Sequence, residues 1–476
     1  MKNLLGVFII LVSACSSMKT AHKDTESWRH EIPYGDTTPL KPQFPVVLER
    51  KLSNGLTVLV VRDAKLPIAE IALAFKNGSA LDPHQKAGLQ NLTAMMLKEG
   101  TSKLTSLELA EKFADLGTEV RVGAGKDMSY INASILSDKF TDAMALIASM
   151  AQNPRFEQED FKRVKSQQEN EIRSEMGSPS YAAQVRFLKA AYGEKHPYAN
   201  PSAGTMTSVA NITVNDIKHA HKTNFGPNNA ALVVVGDVTI NQVMKAAEKY
   251  FGHWKKIKDP VRAIPKPSQH NTMQTILVGR TSMPQTLLLV GQPAATQHDK
   301  DLASYQVFQN ILAGMPTSRL GASLREKKGW TYGVHSSLVP LRGQGPLLVS
   351  TSIQVPHGAA ALQEILDEFE NMKKNPVSKE ELADAKSGLL NSFASRFTTL
   401  KKIASNIWEN FIYDLPKDQD EKYYNEIAQV NEKDIMNIAK KSLPKDHMTA
   451  VAVGDLEVMQ IPLAKMSVGK IIVQQD

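Results

Sequence analysis

Two side chains in the second half of the chain, Arg325 and Tyr332 in the segment LREKKGWTY, have the chemistry of an oxyanion-binding pair. A guanidinium group and a phenolic hydroxyl both donate hydrogen bonds to an oxygen that gains negative charge. A helix that ends at Gly329 and a strand that begins near Tyr332 would direct both side chains into one cleft. The residues alone favour a simpler interpretation, in which Arg325 is a surface residue of a charged run and Tyr332 is a half-buried strand tyrosine.

The segment GLQNLTAMMLKEGT, residues 88–101, predicts a short amphipathic helix whose second face has no catalytic chemistry. Its apolar stripe recurs with helical spacing and consists of Leu89, Leu92, Met96 and Leu97. Gly100 stands where a C-terminal cap belongs. Asn91 and Met95 are four residues apart and share another face, with Ala94 beside them. An amide, a thioether and a methyl group supply neither a general base nor a good set of zinc ligands.

The composition is that of an ordinary soluble globular protein. Of the 476 residues, 42% are hydrophobic and 22% are charged, and the length suffices for two or three domains. The formal net charge of +7 is mild and no dense basic block is present, so we predict no nucleic-acid binding. His219 and His221 in KHAHK would point in different directions on a helix, so no metal site is predicted there.

The chain has one cysteine, Cys15, at the end of MKNLLGVFIILVSAC. A single cysteine excludes intrachain disulfides and cysteine-based metal sites. Lys2, the apolar run 4–12 and the tetrapeptide 12–15 resemble a bacterial lipoprotein signal peptide, in which the cysteine becomes the lipidated first residue. An ordinary secretory signal is the alternative. Residues 16–45 are polar and contain proline, which predicts a tether.

These features predict a protein of the bacterial cell envelope, held on the periplasmic side by its lipid. The lipid anchor would be the only membrane contact, because no other apolar run is long enough to span a bilayer. Ser16 follows the cysteine and is no obvious retention signal, so the outer membrane is the preferred location.

Short segments of the chain repeat at a nearly constant distance. ALVVVGDVT at 231–239 returns as AVAVGDLE at 450–457, and MAQNP at 150–154 returns as MKKNP at 372–376. The offsets are 218 residues for the Gly-Asp pairs and 222 for the Asn-Pro pairs. Two independent matches at similar offsets predict two related domains. We assign the two domains to residues 46–256 and 275–460. A proline- and lysine-rich linker, residues 257–274, joins them, and a tail, residues 461–476, follows.

Both halves mix strands and helices in the same order. In the first half, GLTVLVVRD and IAEIALAFKNGS predict strands, and SLELAEKFADLG predicts an amphipathic helix. In the second half, helices are predicted at 301–313, 318–328, 358–374 and 378–395, with strands within 331–353. Because glycine-rich βα turns are absent, the pattern predicts an α+β fold, with helices layered on a mostly antiparallel sheet in each half.

The order NGLTVLVV, GLQNLTAMMLKEGT, VVVGD and SRLGASLREKKGWTYGV resembles the pitrilysin and mitochondrial processing peptidase family, whose members are insulinase-like, over residues 48–457. That family carries an inverted zinc motif, His-x-x-Glu-His, in the first-half helix. The resemblance places the first His on Asn91, the Glu on Ala94 and the second His on Met95. The third zinc ligand of the family, a Glu in a later helix, is matched by Glu171. The motif is therefore degenerate, and no metal site is expected in this chain.

The resemblance assigns a function to Arg325 and Tyr332, because the family uses an Arg and a Tyr at this spacing to bind substrate and stabilise the tetrahedral intermediate. In two-chain members, one subunit binds zinc and the other supplies only this pair. The resemblance therefore implies a non-catalytic, substrate-binding subunit of a two-subunit zinc endopeptidase. It would have no cofactor of its own and would be inactive alone. Its partners would be a zinc-bearing paralogue, with which it forms a heterodimer, and a peptide or unfolded polypeptide.

Two other functions are compatible with the sequence. The first is a scaffold or peptide-binding protein that keeps a degenerate peptidase fold without catalysis, in which case Arg325 and Tyr332 have no role. The second is an autonomous metallopeptidase, which requires a metal site that the motifs do not reveal.

The lipid anchor gives a direct prediction. Replacing Cys15→Ser removes the only thiol that can be acylated, so the protein should lose acyl labelling and move from the membrane fraction to the soluble fraction. Cell fractionation and radiolabelled fatty acid incorporation measure both effects. A Cys15→Ser variant that stays with the membranes would show that another interaction holds the protein there.

Overall fold

Two six-stranded mixed sheets organise the computed structural model, which describes residues 39–258, 263–268 and 270–475. The chain from Leu40 onward forms one unit. Cys15, the predicted signal peptide and the predicted tether up to residue 38 lie outside the described residues. No helix within the described residues has the length and apolarity needed to cross a membrane.

The first sheet has the strand order β1-β2-β6-β3-β5-β4. All neighbouring strands are antiparallel except β2 and β6. The central strand β6 has the sequence AALVVVG and is buried at every residue, as expected for a strand covered on both faces. The strands are β1 (Leu48–Lys51), β2 (Thr57–Arg62), β3 (Ile68–Phe75), β4 (Arg121–Ala124), β5 (Ser129–Leu136) and β6 (Ala230–Gly236).

Eight helices belong to the described part of the first half. Several begin with capping boxes, such as Thr105 with Glu108, in which each side chain bonds the backbone N–H of the other residue. The helices are α1 (Leu89–Met96), α2 (Ser106–Asp115), α3 (Phe140–Gln152), α4 (Gln158–Met176), α5 (Pro179–Tyr192), α6 (Met206–Ala210), α7 (Val214–Asn224) and α8 (Ile240–Phe251).

The second sheet repeats this order as β12-β7-β11-β8-β10-β9. Here β7 is parallel to both β11 and β12, and the other three pairs are antiparallel. The two sheets therefore differ at one edge, where the antiparallel β1 is replaced by the parallel β12. The strands are β7 (Gln274–Gly279), β8 (Gln285–Pro293), β9 (Val334–Leu338), β10 (Pro346–Gln354), β11 (Thr449–Gly454) and β12 (Lys470–Gln475).

The helices of the second half include two π-helical segments, Asn310–Gly314 and Gly321–Lys327. π-Helical turns are rare and concentrate at functional sites. The α-helices are α9 (Leu302–Gln309), α10 (Gly358–Lys374), α11 (Lys379–Ala394), α12 (Leu400–Ile412), α13 (Gln419–Gln429), α14 (Glu432–Ser442) and α15 (Leu456–Ala464).

One helix from each half covers the sheet of the other half. Phe187 of α5 packs in a cluster with Val278 and Val453 of the second sheet. Ile407 of α12 packs in a cluster with Ala72 of the first sheet. Because successive strand residues point to opposite faces, each sheet has a second apolar face that its own helices do not cover. The exchanged helices bury those faces and join the halves into one unit.

Hydrogen bonds between two hairpin turns reinforce this junction. The Asp127 carboxylate, from the β4–β5 turn, accepts from the Tyr198 hydroxyl at 2.8 Å and from the Arg342 N–H at 2.9 Å. The Tyr198 hydroxyl in turn accepts from the Gly343 N–H at 3.0 Å. Arg342 and Gly343 lie in the β9–β10 turn, so one buried carboxylate connects both halves. Burial raises the pKa of Asp127 above its ordinary value.

The predicted fold class is confirmed, because each half layers helices on a sheet whose strand pairs are mostly antiparallel. The prediction of a tail at 461–476 is wrong, since residues 461–464 complete α15 and residues 470–475 form β12. A strand at a sheet edge with half-exposed residues gives a weak hydrophobic pattern, so the sequence did not reveal it. The described residues of the predicted linker 257–274 follow the surface of α5, where the Ser268 N–H donates to the Tyr192 carbonyl at 3.2 Å.

The helix exchange makes a stability prediction. The variant Phe187→Ala removes a fully buried ring from the contact between α5 and the second sheet, so the free energy of unfolding should fall by about 3–5 kcal/mol. Urea denaturation followed by circular dichroism measures the change. The control Leu107→Ala changes an exposed residue of α2 and should stay within about 0.5 kcal/mol of the parent. Equal values for both variants would show that α5 does not hold the halves together.

Candidate functional site

The helix that carries the degenerate motif, α1, is fixed at its N-terminus by a partly buried carboxylate. Asp82 accepts hydrogen bonds from the N–H groups of Gly88 and Gln90 at 2.8 and 2.9 Å. Burial raises the pKa of Asp82 to about 8, against the opposing effect of these hydrogen bonds. Gly88 has a φ of 96°, which favours glycine, so the chain enters the helix through a turn that side chains disfavour.

The apolar stripe of α1 is buried as predicted, with Leu89, Leu92, Met96 and Leu97 all in the first-half core. The helix is followed by a turn that reaches Gly100, whose φ is 106°. These contacts depend on apolar volume and on helix geometry, and they require nothing of the three motif positions. The fold therefore retains the helix whether or not its other face binds metal.

The three motif positions of α1 are held by neutral contacts. Asn91 Nδ2 donates to Gln168 Oε1 of α4 at 3.1 Å and lies 3.6 Å from Met95 Sδ. Gln168 is fully buried, and its Nε2 donates to the carbonyl of Ala203 at 2.7 Å. Ala94 is also fully buried. An amide pair has replaced the ionisable groups of a metal site, and its hydrogen bonds are largely satisfied within the protein.

Glu171, the predicted remnant ligand position, lies three residues after Gln168 on α4. It is exposed and accepts a hydrogen bond from Gln167 Nε2 at 3.0 Å. The α4 residue in hydrogen-bond contact with Asn91 is Gln168, which the sequence analysis did not identify. The sequence could have indicated Gln168, because it lies three residues before Glu171 and therefore on the same side of the helix. Across the part of the chain that the structure describes, no three His, Cys, Asp or Glu residues are grouped to hold a metal ion.

Arg325 lies on the π-helical segment Gly321–Lys327, within the region predicted as a regular helix. The N–H of Lys328 donates to the Ser323 carbonyl at 3.2 Å, a wide i to i+5 turn. Glu364 of α10 anchors the segment by hydrogen bonds from Ser323 and Lys328. The Arg325 guanidinium is about half exposed and pairs with Glu326 at 3.4 Å. It is therefore available at the surface with a weak local partner.

Tyr332 is 92% exposed, although the backbone around it is held firmly. The Thr331 hydroxyl donates to the Ser352 carbonyl at 2.8 Å, and the Thr351 hydroxyl donates to the Gly333 carbonyl at 2.8 Å. These bonds join the turn before β9 to β10. The alternative of a half-buried strand tyrosine is wrong, because β9 begins at Val334 and the ring faces solvent.

A cleft of about 700 Å³ separates Tyr332 from helices of the first half. We call it the Tyr332 cleft. Its lining includes Glu175 at the end of α4, Tyr181 of α5, and His335 and Leu348 of the second sheet. Arg325 is not among the lining residues. The structure thus brings Tyr332 to the helix that also carries Gln168 and Glu171, but it does not place Arg325 in the same cleft.

Two family models match the chain. The model described as insulinase (peptidase family M16) matches residues 57–205, and the model of the peptidase M16 inactive domain matches residues 211–389. The chain belongs to the M16 peptidase family. Its matched segments contain α1 and α4 in the first case, and the π-helical segment with Tyr332 in the second.

Relatives with this fold are found among bacterial proteins. The "Non-peptidase homolog YmxG" of Helicobacter pylori is 26% identical over 398 residues, which cover 82% of this chain and 90% of that protein. The "Uncharacterized zinc protease YmxG" of Bacillus subtilis is 23% identical and covers 84% of this chain and 96% of that protein. A crystal structure of a peptidase M16 inactive domain from Pseudomonas fluorescens is 26% identical, with a TM-score of 0.80 over 86% of this chain and 98% of that one.

Because the chain belongs to the M16 family, three positions of α1 can be compared with the zinc motif of that family. In this M16 chain, Asn91, Ala94 and Met95 stand where the resemblance places the two zinc-binding histidines and the catalytic base. The chain is a degenerate peptidase fold, whose motif face has become a small network of amide hydrogen bonds. The residues present do not fit zinc, because neutral amide and thioether groups are poor ligands for it.

This degeneracy can be tested by metal analysis. The purified chain, equilibrated with zinc and desalted, should hold no stoichiometric zinc and should hydrolyse no peptide. The triple variant Asn91→His, Ala94→Glu, Met95→His should bind zinc, while peptidase activity should stay absent because the groups that orient the ligands are missing. About one tightly held zinc in the parent chain would contradict the assignment of α1.

The same triple variant tests Glu171. If Glu171 is the remnant third ligand, adding Glu171→Gln should weaken zinc binding at least about 10-fold, measured by competition with a chelating dye. Glu169, a partly exposed acid on the same helix, provides the control Glu169→Gln, which should leave the zinc affinity unchanged. Unchanged zinc affinity after Glu171→Gln would contradict Glu171 as the third-ligand position and would assign that position to Gln168.

Proposed function

We propose that this chain is the non-catalytic, substrate-binding subunit of a two-subunit zinc endopeptidase at the bacterial cell envelope. Its partner is a paralogous M16 chain that carries an intact zinc motif, and its substrate is a peptide or an unfolded polypeptide. In this proposal, Cys15 anchors the chain by lipid on the periplasmic side. The observation that carries the proposal is the Tyr332 hydroxyl, exposed on a rigid turn beside a cleft of peptide-binding size.

The geometry of Tyr332 supports a binding role. Exposed aromatic side chains are common on surfaces, but this one stands on a backbone that two threonine hydroxyls fix in place. A donor that is fixed before the ligand arrives loses little conformational entropy on binding. The phenolic hydroxyl can therefore donate to a peptide carbonyl or to the oxyanion that a partner's zinc centre generates. Arg325 does not line the Tyr332 cleft, so its side chain would have to rotate to join Tyr332. Its one ion pair among the described residues, with Glu326, is exposed and weak and would not oppose that rotation.

The second candidate function is a scaffold or peptide-binding protein without catalysis. One observation favours it: Arg325 does not line the Tyr332 cleft, so the pair is not assembled in the isolated chain. The two functions make different predictions for Tyr332. A subunit that completes a catalytic centre needs the hydroxyl for turnover, whereas a scaffold needs at most the surface of the ring.

The deciding experiment is turnover by the reconstituted pair. With a zinc-bearing paralogue added at saturation, Tyr332→Phe should lower kcat by roughly 10²-fold, as expected for the loss of one donor to a developing oxyanion. The substitution removes one hydroxyl and keeps the ring, so melting temperature and partner affinity should not change. Cleavage of a quenched fluorescent peptide library, thermal melting and analytical ultracentrifugation measure the three quantities.

A matched control separates catalysis from packing. Tyr130→Phe removes a hydroxyl from a half-buried strand tyrosine of the first half, whose ring stacks on Trp408 at 5.4 Å. It should leave turnover unchanged. Equal turnover for the parent and Tyr332→Phe would support the scaffold function instead. Arg325→Lys tests the second donor, because lysine keeps the charge and loses the planar fork.

A further inference from the structure

The first sheet has a cavity that corresponds to the Tyr332 cleft of the second sheet. It has a volume of about 930 Å³, and we call it the Glu70 cavity. Strands β3, β4 and β5 form one wall, and the N-terminal end of α12, the helix exchanged from the second half, forms another. The Tyr332 cleft has the same construction, with α5 as the exchanged helix. The two cavities are related by the internal repeat, but their side chains differ.

Two buried polar side chains form the floor of the Glu70 cavity. Glu70 of β3 is 2% exposed, and Asn132 of β5 is 4% exposed. Asn132 Nδ2 donates to Glu70 Oε1 at 2.9 Å, which fixes the orientation of the amide. The Asn132 Oδ1 atom is buried and has no hydrogen-bond partner among the described residues. Within the same residues, no Lys, Arg or His lies within ion-pair distance of Glu70.

A buried acceptor pair of this kind requires an explanation. Burial of a carboxylate without a cation is strongly unfavourable, and a buried amide oxygen without a donor adds to the cost. Most proteins satisfy such groups, so exceptions point to a missing partner. Asn132 Oδ1 can only accept a hydrogen bond and the Glu70 carboxylate is also an acceptor, so the missing partner must donate hydrogen bonds.

The rim of the cavity does not determine which charge can enter. It carries three bases and two acids, which largely balance and are mostly exposed: Lys65, Arg121, Lys401, Asp63 and Glu119. Water and salt screen charges in such positions. Glu70 is the one lining charge that is almost completely buried, so its preference for a cation dominates in the interior. Apolar walls, including Leu66 and Ile403, would cover the stem of a long side chain.

We propose that the Glu70 cavity binds a guanidinium or ammonium group carried on an apolar stem, with Glu70 and Asn132 as its acceptors. A guanidinium group fits best, because its planar fork can donate to a carboxylate and an amide oxygen at once. The cation comes either from an arginine or lysine side chain of a polypeptide or from a free small cation. The site needs no partner subunit, so it can be tested independently of the function proposed for Tyr332.

An internal cation is the main competitor for this site. Arg121 is paired in register with Asn132 across β4 and β5, so its side chain starts on the same face of the sheet as Glu70. In the structure it is exposed and is not paired with Glu70. If Arg121 competes with the ligand, Arg121→Gln should tighten binding or leave it unchanged.

The test compares two peptides that differ in one charge. A fluorescein-labelled heptapeptide with a central arginine is titrated into the purified chain, and a second peptide carries the neutral isostere citrulline at the same position. Fluorescence anisotropy should show at least about 10-fold tighter binding of the arginine peptide. Glu70→Gln, which keeps the shape and the hydrogen bond from Asn132, should abolish the difference. Glu457→Gln changes an exposed acid at the start of α15, which lines neither cavity, and should preserve the difference.

Competition by arginine amide and by spermidine distinguishes the two sources of the cation. Displacement of the peptide at micromolar concentrations of a small cation assigns the site to free cations, and displacement only at millimolar concentrations assigns it to polypeptide side chains. Equal binding of the arginine and citrulline peptides to the parent chain would overturn the proposal. So would an arginine preference that survives Glu70→Gln in a protein whose thermal melting is unchanged.

If Glu70→Gln changes the melting temperature, Asn132→Asp provides a second measurement. It adds a negative charge to the floor while conserving the shape, so a chain that still folds should bind the arginine peptide more tightly. A chain that folds and binds it no better would contradict the assignment of both acceptors.

Discussion

The exchange of α5 and α12 between the two halves is the constraint on which the rest of the structure depends. Each sheet has two apolar faces, and its own helices cover only one of them. Without the helix from the other half, Ala72 and Val233 in one sheet, and Val278 and Val453 in the other, would face water. Apolar surface exposed on that scale is strongly unfavourable. Neither half is therefore expected to be stable alone, although the sequence reads as two domains.

The same exchange creates the cavities. An exchanged helix covers part of a sheet face and leaves the remainder open beneath its N-terminal end. In the second sheet this space contains Tyr332 on a fixed turn, and in the first it contains Glu70 and Asn132. The internal repeat thus supplies two cavities with one construction. The two cavities differ in their side chains. Tyr332 places a hydrogen-bond donor at the mouth of the Tyr332 cleft, and Glu70 and Asn132 place acceptors at the floor of the Glu70 cavity.

The loss of the zinc motif is compatible with this architecture because the motif is not part of the core. Helix α1 is held by its apolar stripe and by the Asp82 carboxylate at its N-terminus. The motif residues lie on another face, where Asn91 donates a hydrogen bond to Gln168 and Gln168 donates to the carbonyl of Ala203. Replacement of ionisable groups by amides costs the fold little when the amides are paired. A degenerate M16 chain can therefore lack the metal site and keep the stability of the peptidase fold.

The sequence by itself determined the fold class, the internal repeat and the absence of zinc ligands on α1, because residue types and their periodicity are local properties. Arg325 and Tyr332 were singled out by the resemblance to the peptidase family, not by their residue types alone. Only the tertiary structure decided that α5 and α12 cover the sheet of the other half, that Gln168 contacts Asn91 and that Arg325 lies outside the Tyr332 cleft. It also decided that Glu70 is buried with no cation beside it among the residues that the structure describes. These features arise from contacts between residues far apart in the chain. A strand pattern such as IAEIALAF places Glu70 on one face of a sheet, but the burial of that face depends on a helix more than 300 residues away.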